Sequence, residues 1–136
     1  MNFTLIHDTL RASLRAAGFR FWETQDWYDL EIGKLPEAAI QDGFTIRFVG
    51  QEQDPDLKSD TIARLTMEIE FALGSRKGYY TGKMATAQTA IRALRGVLLP
   101  EGVSNIDDQL WPNFQCNYIG EIVAMTFTIS FIIDSN

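Results

Sequence analysis

Few side chains in this 136-residue chain have the chemistry of a catalytic or metal centre: there is one histidine, His7, and one cysteine, Cys116. His7 stands beside Asp8, but a general base also needs a nucleophile to activate and an acid to orient it, and no motif supplies the set. It reads as a structural or surface residue. Cys116 falls inside a predicted strand, where a single thiol usually packs as a small hydrophobe; a reactive thiolate is the sharper alternative. One cysteine rules out an intramolecular disulfide framework, and one histidine with one cysteine argues against zinc. The acidic run Asp54-Pro55-Asp56 with Asp60 lacks the alternating oxygen ligands and glycine of a calcium loop, so it reads as a solvated loop. Gly78-Tyr79-Tyr80-Thr81-Gly82-Lys83 superficially resembles a phosphate loop. That pattern needs glycine five positions before Gly82 and a hydroxyl after Lys83; the chain has Lys77 and Met84 there. Nucleotide binding at this segment is excluded, and no cofactor is expected.

What remains is binding chemistry. Arg76, Lys77, Tyr79 and Tyr80 combine cations with aromatic rings on a predicted glycine-rich turn, a set that can grip a partner protein's surface or stack on bases. The plainer reading folds the tyrosines onto the edge of the core. Trp22, Trp27 and Tyr28 carry the same ambiguity between core corner and interface anchor. The net charge of −6 disfavours a protein that wraps nucleic acid with its whole surface. Along the chain the charge falls in blocks. Residues 71–100 hold Arg76, Lys77, Lys83, Arg92 and Arg95 and no acid, whereas residues 23–70 hold twelve carboxylates against four bases and residues 101–136 five carboxylates and no base. Such segregation favours contact between unlike faces of neighbouring molecules, with Arg76 to Arg95 set against acids such as Asp54, Asp56 and Asp60. Solvated faces are the bland alternative.

The elements that must position these residues follow from periodicity. Phe3, Ile6, Leu10, Leu14 and Ala17 form one helical stripe, capped by Asn2 or Thr4 and ended by Gly18 in the left-handed conformation. Strands are predicted at 19–22 and 27–32, with a helical turn from Lys34 to Gly43, Gly43 serving as its exit. Residues 44–49 alternate with Phe44, Ile46 and Phe48 inward, and Gly50 to Asp60 reads as an acidic loop. Leu65, Met67, Ile69, Phe71 and Leu73 share one face of a long strand. A turn from Gly74 to Tyr80 leads to a helix with Met84, Ala87, Ile91, Leu94 and Leu98 on its stripe, stopped by Pro100. Phe114 to Ile119 and Ile122 to Ile133 form a hairpin around Gly120-Glu121. The order α-β-β-β-β-α-β-β predicts one α+β domain over 1–136, a mostly antiparallel sheet with two main helices on one face. Met1-Asn2-Phe3-Thr4 lacks the basic start of a secretory signal, and the apolar run from Ile122 is too short and too interrupted to span a bilayer, so no membrane association is expected.

This combination resembles a known family: an N-terminal helix, an aromatic strand, Lys34-Leu35-Pro36-Glu37-Ala38 leading to Gly43-Phe44-Thr45-Ile46-Arg47-Phe48, the strand from Ala63 to Leu73, an alanine-rich helix and a terminal hairpin alternating in Thr and Ser. It is similar to the tail terminator (tail completion) proteins of long-tailed bacteriophages. The likeness covers almost the whole chain and lies in element order, size and texture. It implies a structural subunit and not an enzyme. Such a subunit assembles as a homo-hexameric ring that caps the tail tube, stops its polymerisation and joins the head connector. Tail tube protein and head–tail connector are the implied partners, DNA passes through the ring as cargo, and the product is made in the host cytoplasm and resides in the virion. Another head–tail adaptor or tube-associated protein, or a small ligand-binding α+β domain, are the alternative readings.

Overall fold

Helix α1 (Phe3–Ala16) forms where the apolar spacing requires it, with Ile6, Leu10 and Leu14 on its buried face. Its C-terminus is closed by a pair of reaching-back hydrogen bonds: Gly18 N–H donates to Arg15 O at 3.0 Å and Phe19 N–H to Leu14 O at 3.3 Å. That geometry demands a left-handed residue between them, and Gly18 supplies it at φ 100° without a Cβ penalty. Phe19, just beyond, drops into the core. Thr4 lies within α1, so it is not the cap, and Asn2 lies outside the described residues.

The computed structural model describes residues 3–21, 42–53, 62–74, 79–97, 103–106, 113–119 and 122–134. After α1 come β1 (Arg20–Phe21), β2 (Gly43–Gln53), β3 (Ile62–Gly74), α2 (Tyr79–Val97), β4 (Val103–Ile106), β5 (Phe114–Ile119) and β6 (Ile122–Asp134). The strands form one six-stranded sheet in the order β1-β2-β3-β6-β4, with β5 also paired to β6. Every pairing is antiparallel except the short parallel ladder between β1 and β2. Strand β6 is the hub. Along its whole length it pairs with β3, while its other edge is shared, Ile122 to Phe127 by β5 and Phe131 to Ile133 by β4.

The alternation expected for β3 and β6 is observed. Leu65, Met67, Ile69, Phe71 and Leu73 join Val123, Met125, Phe127, Ile129 and Phe131 in one core with Ile6, Leu10 and Leu14 of α1 and Ala87, Ala90, Ile91 and Leu94 of α2. Both helices therefore lie on one face, and the fold is α+β as the pattern predicts. Aromatic rings run through this core from strand to strand: Phe19 and Phe44 meet Phe71 at 4.7 and 6.0 Å, Phe71 meets Phe127 at 5.8 Å, and Phe127 meets Phe114 at 5.6 Å. The opposite face is polar in its middle. Arg47 pairs with Glu68, Thr126 Oγ1 donates to Glu70 at 3.2 Å, and the Thr66 and Ser130 hydroxyls meet at 3.4 Å. Towards one end that face changes to Ala72, Ala124 and Ile122, all buried.

Several boundaries differ from expectation. Tyr79 and Tyr80 are not on a loop but in the first turn of α2, and Gly82 lies inside that helix. Gly74 ends β3 instead of starting a turn. Gly43 is the first residue of β2; the left-handed residue there is Asp42, at φ 61°. Gly50 to Gln53 extend β2 past a bulge between Phe48 and Gly50, so they are strand and not acidic loop. The first strand is only two residues long, and β4 had no periodic signal in four residues. The expected strand at 27–32, the turn from 34 to 41, the helix stop at Leu98 and Pro100, and Trp22, Trp27 and Tyr28 all lie outside the described residues.

Candidate functional site

The first turns of α2 meet the sheet at two points. Tyr80 packs partly against the core and sets its ring edge-on to Tyr118 of β5, centroids 6.2 Å apart. Hydrogen bonding toward the neighbouring Tyr80 hydroxyl, with the Tyr80 charge next in weight, holds the Tyr118 hydroxyl above the ordinary phenol range. One turn on, Lys83 turns inward. Its ammonium lies 3.5 Å from Asp42 Oδ2 and 6.0 Å from the centre of the Phe19 ring. Thr86, one turn further, donates its hydroxyl to Gly82 O at 3.1 Å, the back-bond to the preceding turn that helical threonines make.

Asp42 is the pivot of this corner. Its N–H donates to Ala72 O at 2.9 Å and its C=O accepts from Arg20 N–H at 2.8 Å, so one residue ties β1 to the end of β3. Aspartate tolerates the left-handed conformation better than most residues, which is why it can sit there and still aim a carboxylate at α2. Lys83 thus meets an acid of its own subunit. Arg92, nine positions on and therefore on the opposite side of the helix, is exposed. Tyr79 and Arg95 fall on α2 by position, whereas Arg76, Lys77, Asp54, Asp56 and Asp60 lie outside the described residues.

The placement of α1 and α2 on one face gathers charge that the sequence spreads over two segments. They carry Arg11, Arg15, Lys83, Arg92 and Arg95, with Asp8 the one acid between them. The remaining residues of the chain carry seventeen acids and seven bases. By sequence, the two helices are therefore net basic in an otherwise acidic chain. Asp8 is itself engaged, 3.3 Å from Arg11 and 3.7 Å from His7, whose ring stacks on Phe48 at 6.4 Å. His7 is thus placed as a packing residue.

Beyond the tyrosine pair, β5 carries Phe114 and Tyr118 at 38 and 63% exposure with the half-buried Cys116 between them. All three share the helix-side face, opposite Phe127, Val123 and Met125 respectively. Burial pushes the Cys116 thiol up, so the thiolate needed for nucleophilic attack is scarce near neutral pH. Among the described residues no three His, Cys, Asp or Glu side chains gather to hold a metal ion. No described helix is long and apolar enough to cross a membrane. The arrangement can bind through rings, charges and strand edges; it assembles no group for covalent chemistry among the described residues. Tyr118 and Asp42 were the residues missed by sequence reasoning. Alternation of Phe114, Cys116 and Tyr118 was a visible signal for the first, but only the β5–β6 register shows which face they share. In comparisons with known proteins, the chain matches no family model and no curated sequence.

Proposed function

We propose that this chain is a structural ring subunit of the tail terminator type, a protein that caps a phage tail tube, halts its growth and offers a face to the head connector. The supporting observation is that α1 and α2, which share one face of the sheet, are net basic in a chain that is otherwise strongly acidic, with Arg92 exposed. A ring of identical subunits needs a contact in which one face meets a different face of the next copy. A subunit with surfaces of unlike sign is suited to that contact and resists like-face pairing. On this reading six copies close the ring, DNA passes through it as cargo, and the mature location is the head-proximal end of the tail.

Native mass by light scattering with negative-stain imaging, over a salt series, tests the proposal. The expected result is a ring at low ionic strength that is reduced as salt shortens the screening length below roughly 10 Å. Arg92→Glu, which places an acid on the exposed side of α2, is expected to reduce ring formation several-fold at equal protein concentration. A monomer at every salt and protein concentration, with purified tail tube present, would remove the ring reading.

A further inference from the structure

The outer edge of β5 is unlike the rest of the sheet boundary. Strand edges offer unpaired N–H and C=O groups to any other strand, and proteins blunt them with charges, proline or bulges. The other long boundary strand, β2, has such devices: a bulge at Val49, exposed Arg47 and exposed Glu52. Strand β5 has none of them. Its residues Phe114-Gln115-Cys116-Asn117-Tyr118-Ile119 include no charge and no proline, and they run in unbroken register along β6. Among the described residues nothing pairs with its outer edge. It also holds two of the exposed large hydrophobic side chains of the molecule, Phe114 and Tyr118, and Tyr118 is held in place by Tyr80.

The order of side chains identifies the occupant. Phe114-Gln115-Cys116-Asn117-Tyr118 is a chemical palindrome: aromatic, amide, cysteine, amide, aromatic. An antiparallel partner strand of the same sequence, related by a two-fold axis normal to the sheet at Cys116, sets Phe114 against Tyr118, Gln115 against Asn117 and Cys116 against its own counterpart. Directly opposed residues in an antiparallel pair must project to the same side, and this register satisfies that rule at every position because both helix layers stay on one face. Aromatic rings meet rings, amides can exchange hydrogen bonds, and no like charges oppose.

We infer that β5 is a self-pairing edge, through which two copies of this chain join their sheets into one by a two-fold β5–β5 seam. The contact uses one edge twice and is separate from the unlike-face contact of a ring; it stands whether or not the ring reading does. A seam of about five residues a side is smaller than the roughly 1,000 Å² of a stable interface, so the pairing is concentration-dependent unless other contacts add to it.

Cys116 is the only cysteine, so any disulfide-linked dimer is a Cys116–Cys116 bond. The seam sets the two Cα atoms about 4.5–5.5 Å apart, within the span of a disulfide. Copper-phenanthroline and oxygen accept two electrons while the two thiols release two protons, and the expected product is a covalent dimer on a non-reducing gel. Tyr118→Lys and Gln115→Lys change exposed positions and keep the thiol while charging the edge. Each is expected to lower the yield of covalent dimer at least tenfold, with an unchanged far-UV spectrum. Arg92→Glu, aimed at the ring contact, is expected to leave the yield unchanged. No covalent dimer from the unsubstituted protein, or equal yield from a folded lysine variant, overturns the inference; the second outcome identifies random collision as the source.

Discussion

Asp42 permits a test in which backbone conformation and ion pairing pull apart. It sits at φ 61° and its backbone holds β1 to β3, while its carboxylate lies 3.5 Å from Lys83. The two side chains are 21 and 28% exposed, so the pair is partly screened and contributes about 0.5–1 kcal/mol. Its second oxygen, Oδ1, is buried with no hydrogen-bond partner among the described residues, which keeps the net gain at the modest end. Asp42→Ala loses the pair and keeps a Cβ in the left-handed region without aspartate's tolerance for it, so it should fall about 1–2 kcal/mol below the parent. Asp42→Gly loses the same pair but is free of that backbone cost, so it should remain within about 1 kcal/mol of the parent. Urea unfolding followed by far-UV circular dichroism, with m held common, reads the difference. For a chain of this size the alanine variant should melt about 3–8 °C below the glycine variant. Equal destabilisation by alanine and glycine would refute the backbone argument. A Lys83→Met variant that shows no coupling with Asp42→Asn in a double-mutant cycle would refute the ion-pair argument.

Two other outcomes are expected. Phe71→Ala removes a fully buried ring that touches Phe19, Phe44 and Phe127; the loss should be about 3–5 kcal/mol by urea unfolding, and a loss under about 1.5 kcal/mol would mean the surrounding core collapses into the space. Tyr118 ionises above the ordinary phenol value of about 10 because the Tyr80 hydrogen bond favours its neutral form. Its stabilising contribution is therefore intact below that ordinary value and is lost as pH rises through the raised one. Ultraviolet difference titration of Tyr80→Phe should show Tyr118 ionising at lower pH than in the parent.

Local signals carried most of the fold. The stripes of α1 and α2, the Gly18 stop and the alternation of β3 and β6 depend on neighbours within a turn or a pleat, and each is visible in the chain. The start of α2 is masked in the sequence because Gly74, Gly78 and Gly82 look like turn residues, yet Gly82 occupies an exposed helix position where it costs only about 1 kcal/mol and packing of Tyr80 and Ala87 overrides it. Asp42 was hidden because a left-handed residue next to Gly43 points to the glycine first. The second buried face at Ala72, Ala124 and Ile122 did leave a trace: the outward positions of β3 and β6 change from Glu and Thr to small or apolar residues. Site geometry was less legible. That Tyr80 meets Tyr118, and Lys83 meets Asp42, depends on which strands flank β6 and where α2 crosses the sheet, and such contacts between distant segments leave no periodic mark.

The central position of β6 has a consequence for how the protein is made. Strands β3, β4 and β5 all precede β6 in the chain; β4 and β5 pair only with it among the described residues, and β3, already paired with β2, takes its second partner from it, with Gly74 meeting Ile122 and Ile62 meeting Asp134. At about 5–20 residues per second of synthesis, β3 waits on the order of several seconds on the ribosome with one edge open and Leu65, Met67, Ile69, Phe71 and Leu73 without their β6 neighbours. The sheet therefore closes after translation of its last strand, by contacts of long sequence separation that form slowly. During those seconds β3 presents an open strand edge and apolar side chains, the features by which incomplete sheets pair with the wrong chain.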